Sequence, residues 1–166
     1  KQEKIRNYHI NWENNFFENN INKIYNWFCS IIDNYDEKNI NDLKIVSLFI
    51  PHAIYFINLI EFYISKNILK IYNNKIKKIY NKIAYFELFH KHNYEISKKF
   101  YEKCFEKNDE NIIENLGIVL YKLKENKKAK KLFKNAIKIN YSKYKKINNP
   151  NLGKIFTNLG IIYNEL

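Results

Sequence analysis

The stretch from Leu116 to Ile139, LGIVLYKLKENKKAKKLFKNAIKI, decides the fold because residue size as well as hydrophobicity follows a rule within it. Polar residues at 124–126 separate an apolar run that contains Gly117 from a second run. In the second run, small and aromatic residues recur at i, i+4 and i+7, which is one helical face: Ala129, Phe133 and Ala136. This spacing predicts two antiparallel helices at close approach, with the Phe133 ring packed against Gly117.

The same pattern recurs once earlier in the chain and in part once later. In the earlier copy Ala84 and Tyr85 replace Leu116 and Gly117, and the turn is at His92 and Asn93. The small, large and small positions are filled there by Ser97, Tyr101 and Cys104. The later copy is the run FTNLGIIYNEL, with Leu159 and Gly160 in the leading positions and no second helix after it.

Over residues 78–166 this arrangement resembles the tetratricopeptide repeat, a helix-turn-helix unit of about 34 residues. The longer final step, with Pro150 before NLG, is similar to kinesin light chains. The resemblance implies an all-α, right-handed α-solenoid of antiparallel helix pairs. It also implies a non-enzymatic scaffold for protein–protein interaction within a larger complex, in which a peptide segment, a partner helix or a neighbouring subunit binds a groove.

We expect two regions, an N-terminal helical region over residues 1–76 and repeats over 77–166 with the last repeat truncated. The first region has no repeat phase and is interpreted as degenerate repeats or a cap. Helical spacing predicts a helix over 12–35, a break at 36–39, a short helix to Phe49 and a new helix from Pro51 to about Lys66. The stretch 45–64 is as long as a membrane span, but the polar residues within it favour helices packed on neighbours.

In the repeat region, helices are predicted near residues 93–107, 110–124, 127–147 and 151–166. Because the last helix has no partner, we expect its apolar face of Ile155, Leu159 and Ile162 to need cover from further chain or another subunit. The chain also begins without methionine and ends within a repeat, so both ends are interpreted as cuts.

Charge and cysteine content suggest the type of partner and the compartment. The net charge is +12, which favours an anionic partner and keeps open a basic helical-repeat protein that binds RNA or the ribosome. Arg6 is the one arginine among 29 basic residues, and arginine is the residue that reads phosphates and bases bidentately. Cys29 and Cys104 lie far apart in apolar runs, which predicts reduced thiols and an intracellular, reducing compartment, either cytoplasm or nucleus, or an organelle if a transit peptide was removed.

The sequence offers no pattern typical of catalysis or of a cofactor. Three scattered glycines exclude a glycine-rich phosphate loop, and paired cysteines with zinc-site spacing are absent. Glu87 and His90 have the spacing of one half of a di-iron site, but no second copy exists, and His92 would point away from His90 on a helix. We therefore expect no metal, no cofactor and no catalytic residue.

The candidate peptide-binding residues are Asn115, Asn158, Lys82 and Lys154. In kinesin light chains and O-linked N-acetylglucosamine transferases, the asparagine of NLG or NLA forms a ladder along the bound peptide, and Asn115 and Asn158 match that place. Ile83 occupies the equivalent place one repeat earlier. Families that bind the acidic C-terminus of heat-shock chaperones use a five-residue carboxylate clamp, and the two lysines with Asn115 match three of its places. Phe86 and Asn158 fill the other two, so a basic groove favouring acidic partners is expected rather than a complete clamp.

Overall fold

The computed structural model describes residues 19–65, 73–106, 108–144 and 150–164, and these ranges contain seven helices and no strand. The predicted all-α fold is confirmed. Helix α1 covers residues 19–33. The others are α2 (Ile40–Ser65), α3 (Asn73–Phe89), α4 (Tyr94–Cys104), α5 (Glu110–Lys122), α6 (Asn126–Tyr144) and α7 (Pro150–Asn164).

The chain divides into two compact units, Lys1–Ile79 and Tyr80–Leu166, and the boundary falls inside α3. In the first unit, α1 and α2 pack through aromatic and branched side chains. The Phe28 ring lies 5.4 Å from that of Phe56, and Trp27 meets Phe49 edge to face at 5.0 Å, both between ring centroids. At the start of α3, the Lys75 ammonium donates a 2.6 Å hydrogen bond to the Asn22 side chain of α1.

Helix α2 corrects one expectation, because it continues through Pro51 where a new helix was predicted to begin. Proline inside a helix removes one backbone hydrogen bond and costs roughly 3 kcal/mol. The compensation comes from a continuous buried stripe on both sides of it: Val46, Ile50, Ala53, Ile57 and Ile60. Pro51 itself lies on the exposed face. Tertiary packing therefore outweighs the local preference for a break.

By length and composition, the segment Ile40–Phe62 of α2 is the one candidate membrane span found in the described residues, with a mean hydropathy of 1.7. One third of the segment is buried inside the protein, and its opposite face exposes large apolar side chains such as Leu48 and Tyr55. A core helix of a soluble protein has the same length and composition, so this finding by itself does not assign α2 to a membrane.

In the second unit, successive helices pack on one another: α4 on α5, α5 on α6, α6 on α7, and α5 also on α7. The observed bounds agree with the four helices predicted after residue 93 to within a few residues at each end. Two caps fix where helices begin. The Asp109 carboxylate accepts from the backbone N–H groups of Asn111 and Ile112, both at 3.1 Å, and the Asn93 side chain accepts from Ile96.

The contact predicted between α5 and α6 is present. Ala129, Phe133 and Ala136 are fully buried, and Gly117 lies against the Phe133 ring. A Cβ atom built on Gly117 would approach that ring to 2.9 Å, so only glycine fits at this position without a shift. The glycine therefore allows the two backbones to approach closely.

The helices α3 and α4 repeat this arrangement with different side chains. Ser97, Tyr101 and Cys104 are fully buried, and the Ser97 hydroxyl donates a 2.8 Å hydrogen bond to the Ala84 carbonyl. The turns match as well. His92 and Lys124 occupy equivalent places in the two hairpins, and they are the two non-glycine residues with positive φ in the described chain, at 54° and 63°. Each lies in the connection between the two helices of its pair, shortly after the first helix ends, where a left-handed residue is common.

Candidate functional site

The face of α5 that stays partly exposed defines the candidate site. Its members recur at three- and four-residue steps: Asn111, Glu114, Asn115, Ile118 and Lys122. Aligning Asn158 with Asn115 places four equivalent residues on α7, all at least partly exposed: Lys154, Thr157, Asn158 and Ile161. Because α5 packs on α7, we call these two rows together the α5–α7 surface.

The structure places three of the four sequence-predicted residues on this surface. Asn115 and Asn158 are half-buried at equivalent positions of α5 and α7, and Lys154 is exposed. Lys82 lies half-buried on α3, where it interacts with other groups of the protein. That these four side chains bind one ligand together stays a prediction.

Charges of both signs meet on the α5–α7 surface. Burial raises the pKa of the Glu114 carboxyl, and the ammonium of Lys154 opposes this rise by attraction. Glu110 raises the pKa of Glu114 further because it is a second carboxyl nearby. Lys154 therefore has an internal counter-charge, which weakens the electrostatic pull of this lysine on an acidic partner.

Asn115 has a packing role that sequence reasoning missed. The Tyr101 hydroxyl of α4 is buried and makes no well-formed hydrogen bond with the described residues. Burial raises the pKa of Tyr101 well above its usual range, and the adjacent Asn115 side chain opposes part of that rise. The Asn115 amide therefore lies between the exposed surface and the buried Tyr101 hydroxyl. The sequence signal for this contact is the aromatic residue at the centre of the small-large-small face of α4.

The earlier repeat does not extend the row of asparagines. Ile83, which takes the equivalent place on α3, is fully buried, and Phe86 is 2% exposed. These two residues cannot offer polar groups to a ligand. The predicted ladder therefore has two rungs at most within the described residues, and the carboxylate clamp lacks a polar group at the Phe86 place.

Three further polar side chains lie in the interior of the second unit. The Asn140 side chain of α6 donates a 3.3 Å hydrogen bond to the Glu110 carboxylate of α5, and both residues are buried. Glu87 is also buried, which raises its pKa, and Lys91 one turn later opposes the rise. Glu110 and Glu87 do not belong to a metal site, since the described residues contain no group of three or more His, Cys, Asp or Glu side chains placed to hold an ion.

Comparisons with known proteins give no relative. No family model matches the chain, and neither the curated proteins nor the solved structures contain a significant match.

Proposed function

We propose that this protein is a non-enzymatic scaffold of the tetratricopeptide type, whose helix pairs continue as an α-solenoid and bind a protein partner on the α5–α7 surface. The observation that carries the proposal is the repetition of one detailed arrangement. Small-large-small faces are fully buried in α4 and in α6, and the left-handed turn residues His92 and Lys124 occupy equivalent places before these helices. Stacked helix pairs present their first helices side by side as an extended surface.

The partner we propose is an extended peptide segment or a helix. Asn115 and Asn158 offer donors and an acceptor to a peptide backbone, and their equivalent positions on α5 and α7 suit a repeating main chain. Ile118 and Ile161 add partly exposed apolar contact area beside them. The lysines of the site favour acidic side chains, to an extent that the Glu114 charge limits.

The test is a quantitative pull-down with the full chain, comparing wild type with Asn115→Ala plus Asn158→Ala. Each lost neutral hydrogen bond costs about 0.5–1.5 kcal/mol, so we expect about threefold to tenfold weaker binding for each asparagine. The matched control replaces two exposed asparagines of α2, Asn41→Ala plus Asn58→Ala, and should leave recovery unchanged.

Asn115→Ala could weaken binding either by removing a contact with the partner or by disturbing the packing around Tyr101. The variant Tyr101→Phe distinguishes these two causes. This change removes the hydroxyl beside Asn115 and leaves the amide in place. Partner recovery should therefore remain at the wild-type level. Equal recovery of every partner by wild type and the double asparagine variant would contradict the proposed site.

A second candidate function is RNA binding on a row of exposed lysines of α6. Lysines recur there at i, i+4, i+7 and i+11, all exposed: Lys127, Lys131, Lys134 and Lys138. If this row contacts phosphates, affinity for single-stranded RNA falls with salt by a slope of roughly 0.7 per phosphate contact. Replacing Lys127, Lys131 and Lys138 by glutamine should reduce that slope by about 2. A slope that these changes do not alter excludes this face.

A further inference from the structure

On α5, one face is covered by α6. The equivalent face of α7 is exposed. On α5 the covered residues are all buried and follow steps of three, four and three: Glu110, Ile113, Gly117 and Leu120. The residues at the equivalent positions of α7 are all exposed, and we call them the α7 seam: Gly153, Phe156, Gly160 and Tyr163. Phe156 is 51% exposed and Tyr163 is 48% exposed, and a Cβ atom on either glycine would meet nothing within 4 Å.

The α5–α6 interface shows what kind of element fits such a face. Glu110 near the start of α5 pairs with Asn140 late in α6, and Gly117 contacts Phe133 earlier in α6. The covering helix therefore runs antiparallel, and it places an aromatic ring on the glycine. The α7 seam has the same backbone spacing and a glycine at the same place.

The composition of the α7 seam makes it complementary to itself. Steps of three, four and three are the spacing of a coiled-coil contact, and small and large residues alternate along it. In an antiparallel pair of α7 helices centred at position 158, Phe156 of each copy meets Gly160 of the other. Tyr163 meets Gly153 in the same register. A parallel pair would instead stack aromatic on aromatic and glycine on glycine, which packs poorly.

We propose that the α7 seam is the interface of a symmetric, antiparallel dimer of this chain. Such an interface is isologous, so one helix face supplies both halves. The α6 residue Lys130 already holds the Tyr163 ring, with its ammonium 3.8 Å from the ring centroid, which reduces the ordering needed on association. Lys154 is the single charged side chain in α7 and lies off the seam, whereas the ammonium groups of Lys130 and Lys134 from α6 lie near the Tyr163 ring at one end of it.

This interface is independent of the peptide-binding proposal, because Asn115 and Asn158 do not lie on the α7 seam. A helix of 15 residues is about 22 Å long, so the seam has only about two heptads. We therefore expect a weak, concentration-dependent dimer of the transient class. The net charge of +12 on each copy opposes association at low salt, so moderate salt should strengthen the dimer.

The experiment is analytical ultracentrifugation of the full chain from about 1 to 300 μM, a range that spans weak transient association. Wild type should shift from monomer to dimer with concentration. Phe156→Ala leaves small residues opposite glycine, and Gly160→Phe places aromatic against aromatic, so each variant should need at least about tenfold higher concentration to associate. Leu48→Ala, a change at an exposed apolar residue of α2, should associate like wild type.

The decisive measurement is an equimolar mixture of the Phe156→Ala and Gly160→Phe chains. The Gly160→Phe chain keeps Phe156, which in the proposed register meets the unchanged Gly160 of the Phe156→Ala chain. In the other contact, the new phenylalanine at position 160 meets the new alanine at position 156, so a ring again lies against a small residue. The mixture should therefore form a heterodimer although neither chain self-associates. Circular dichroism verifies that both variants are folded, which the open space around Gly160 favours. Monomeric wild type over the whole range, unaffected dimerisation of both variants, or failure of the mixture to associate would each overturn the proposal.

Discussion

In the α5–α6 hairpin the buried small-large-small face is Ala129, Phe133 and Ala136, whereas in the α3–α4 hairpin the same positions hold Ser97, Tyr101 and Cys104. Both faces are fully buried. The first is entirely apolar, while the second carries two hydroxyls, of which Ser97 bonds a carbonyl and Tyr101 has no well-formed bond. The comparison teaches that residue size defines this hairpin, and that polarity can vary where the polar group has a local acceptor or a neighbouring amide.

The largest effect should follow loss of the large residue from the apolar hairpin. Phe133→Ala leaves a cavity at a fully buried position and should lower the free energy of unfolding by about 3–5 kcal/mol. Urea denaturation followed by circular dichroism measures the change. Tyr101→Ala is the matched substitution in α4 and should cost a similar amount, and a loss below about 1 kcal/mol at both sites would contradict size as the defining property.

The glycine at the hairpin contact can be compared with the open glycine of α7. Gly117→Ala forces the Phe133 ring to move and should cost about 1–2 kcal/mol after the helix-propensity gain. Gly160→Ala should instead stabilise by about 0.5–1 kcal/mol, because its Cβ meets nothing. Thermal melts at low micromolar concentration, where the proposed dimer dissociates, measure both. Changes of the same sign at the two glycines would refute the close approach at Gly117.

The two hydroxyls of the polar hairpin should respond in opposite directions. Ser97→Ala removes a buried hydrogen bond and should cost about 0.5–1.5 kcal/mol. Tyr101→Phe removes a buried hydroxyl that has no well-formed bond and should raise stability by up to about 1 kcal/mol. Chemical denaturation resolves the difference in sign. A clear loss for Tyr101→Phe would mean that Asn115 bonds this hydroxyl strongly in solution.

The smallest effect concerns a buried acid of α3 and varies with pH. Glu87 occupies the place in α3 that Val119, which is fully buried, occupies in α5. Burial raises the pKa of Glu87, so the folded protein binds a proton more tightly than the unfolded chain does. Stability of the wild type should therefore fall as pH rises above the usual glutamate pKa and level off above the raised value.

The substitution Glu87→Gln removes this dependence. The variant should be more stable than wild type near pH 7–8, and the difference should disappear towards pH 4, where the carboxyl is protonated in both states. Urea midpoints between pH 4 and pH 8 measure it. The exposed change Glu95→Gln is the control and should show no comparable trend. Greater stability of the wild type at pH 8 would show that Lys91 compensates for burial.

The sequence predicted the helices of the second unit because size and period agree there. The spacing from Ala129 to Ala136 and the turn at 124–126 act over a few residues, and such local signals survive in the fold. Pro51 was interpreted wrongly because the compensation comes from packing across the core, which a local rule does not include. The Glu110–Asn140 bond was also missed, since it joins two residues far apart in an asparagine-rich chain.

The open face of α7 was placed on the wrong side by sequence reasoning. Ile155 and Ile162 are fully buried and Leu159 is half-buried, whereas Phe156 and Tyr163 are exposed. The sequence shows apolar residues around most of this helix and does not indicate which of its faces packs on α6. The equivalent residues of α5, Ile112 and Val119, are buried too. Aligning α7 with α5 position by position therefore predicts that Ile155 and Ile162 are buried.

The two free cysteines supply one chemical reporter for each unit. Cys29 is half-buried in α1, and Cys104 is fully buried in α4, where its thiol donates to the Tyr101 carbonyl. A thiol reagent reacts with a buried cysteine only after local or global opening. The rate at which each cysteine is alkylated under native conditions therefore measures the opening of its own unit, so a single labelling time course with mass readout tells whether Lys1–Ile79 and Tyr80–Leu166 unfold together or in turn.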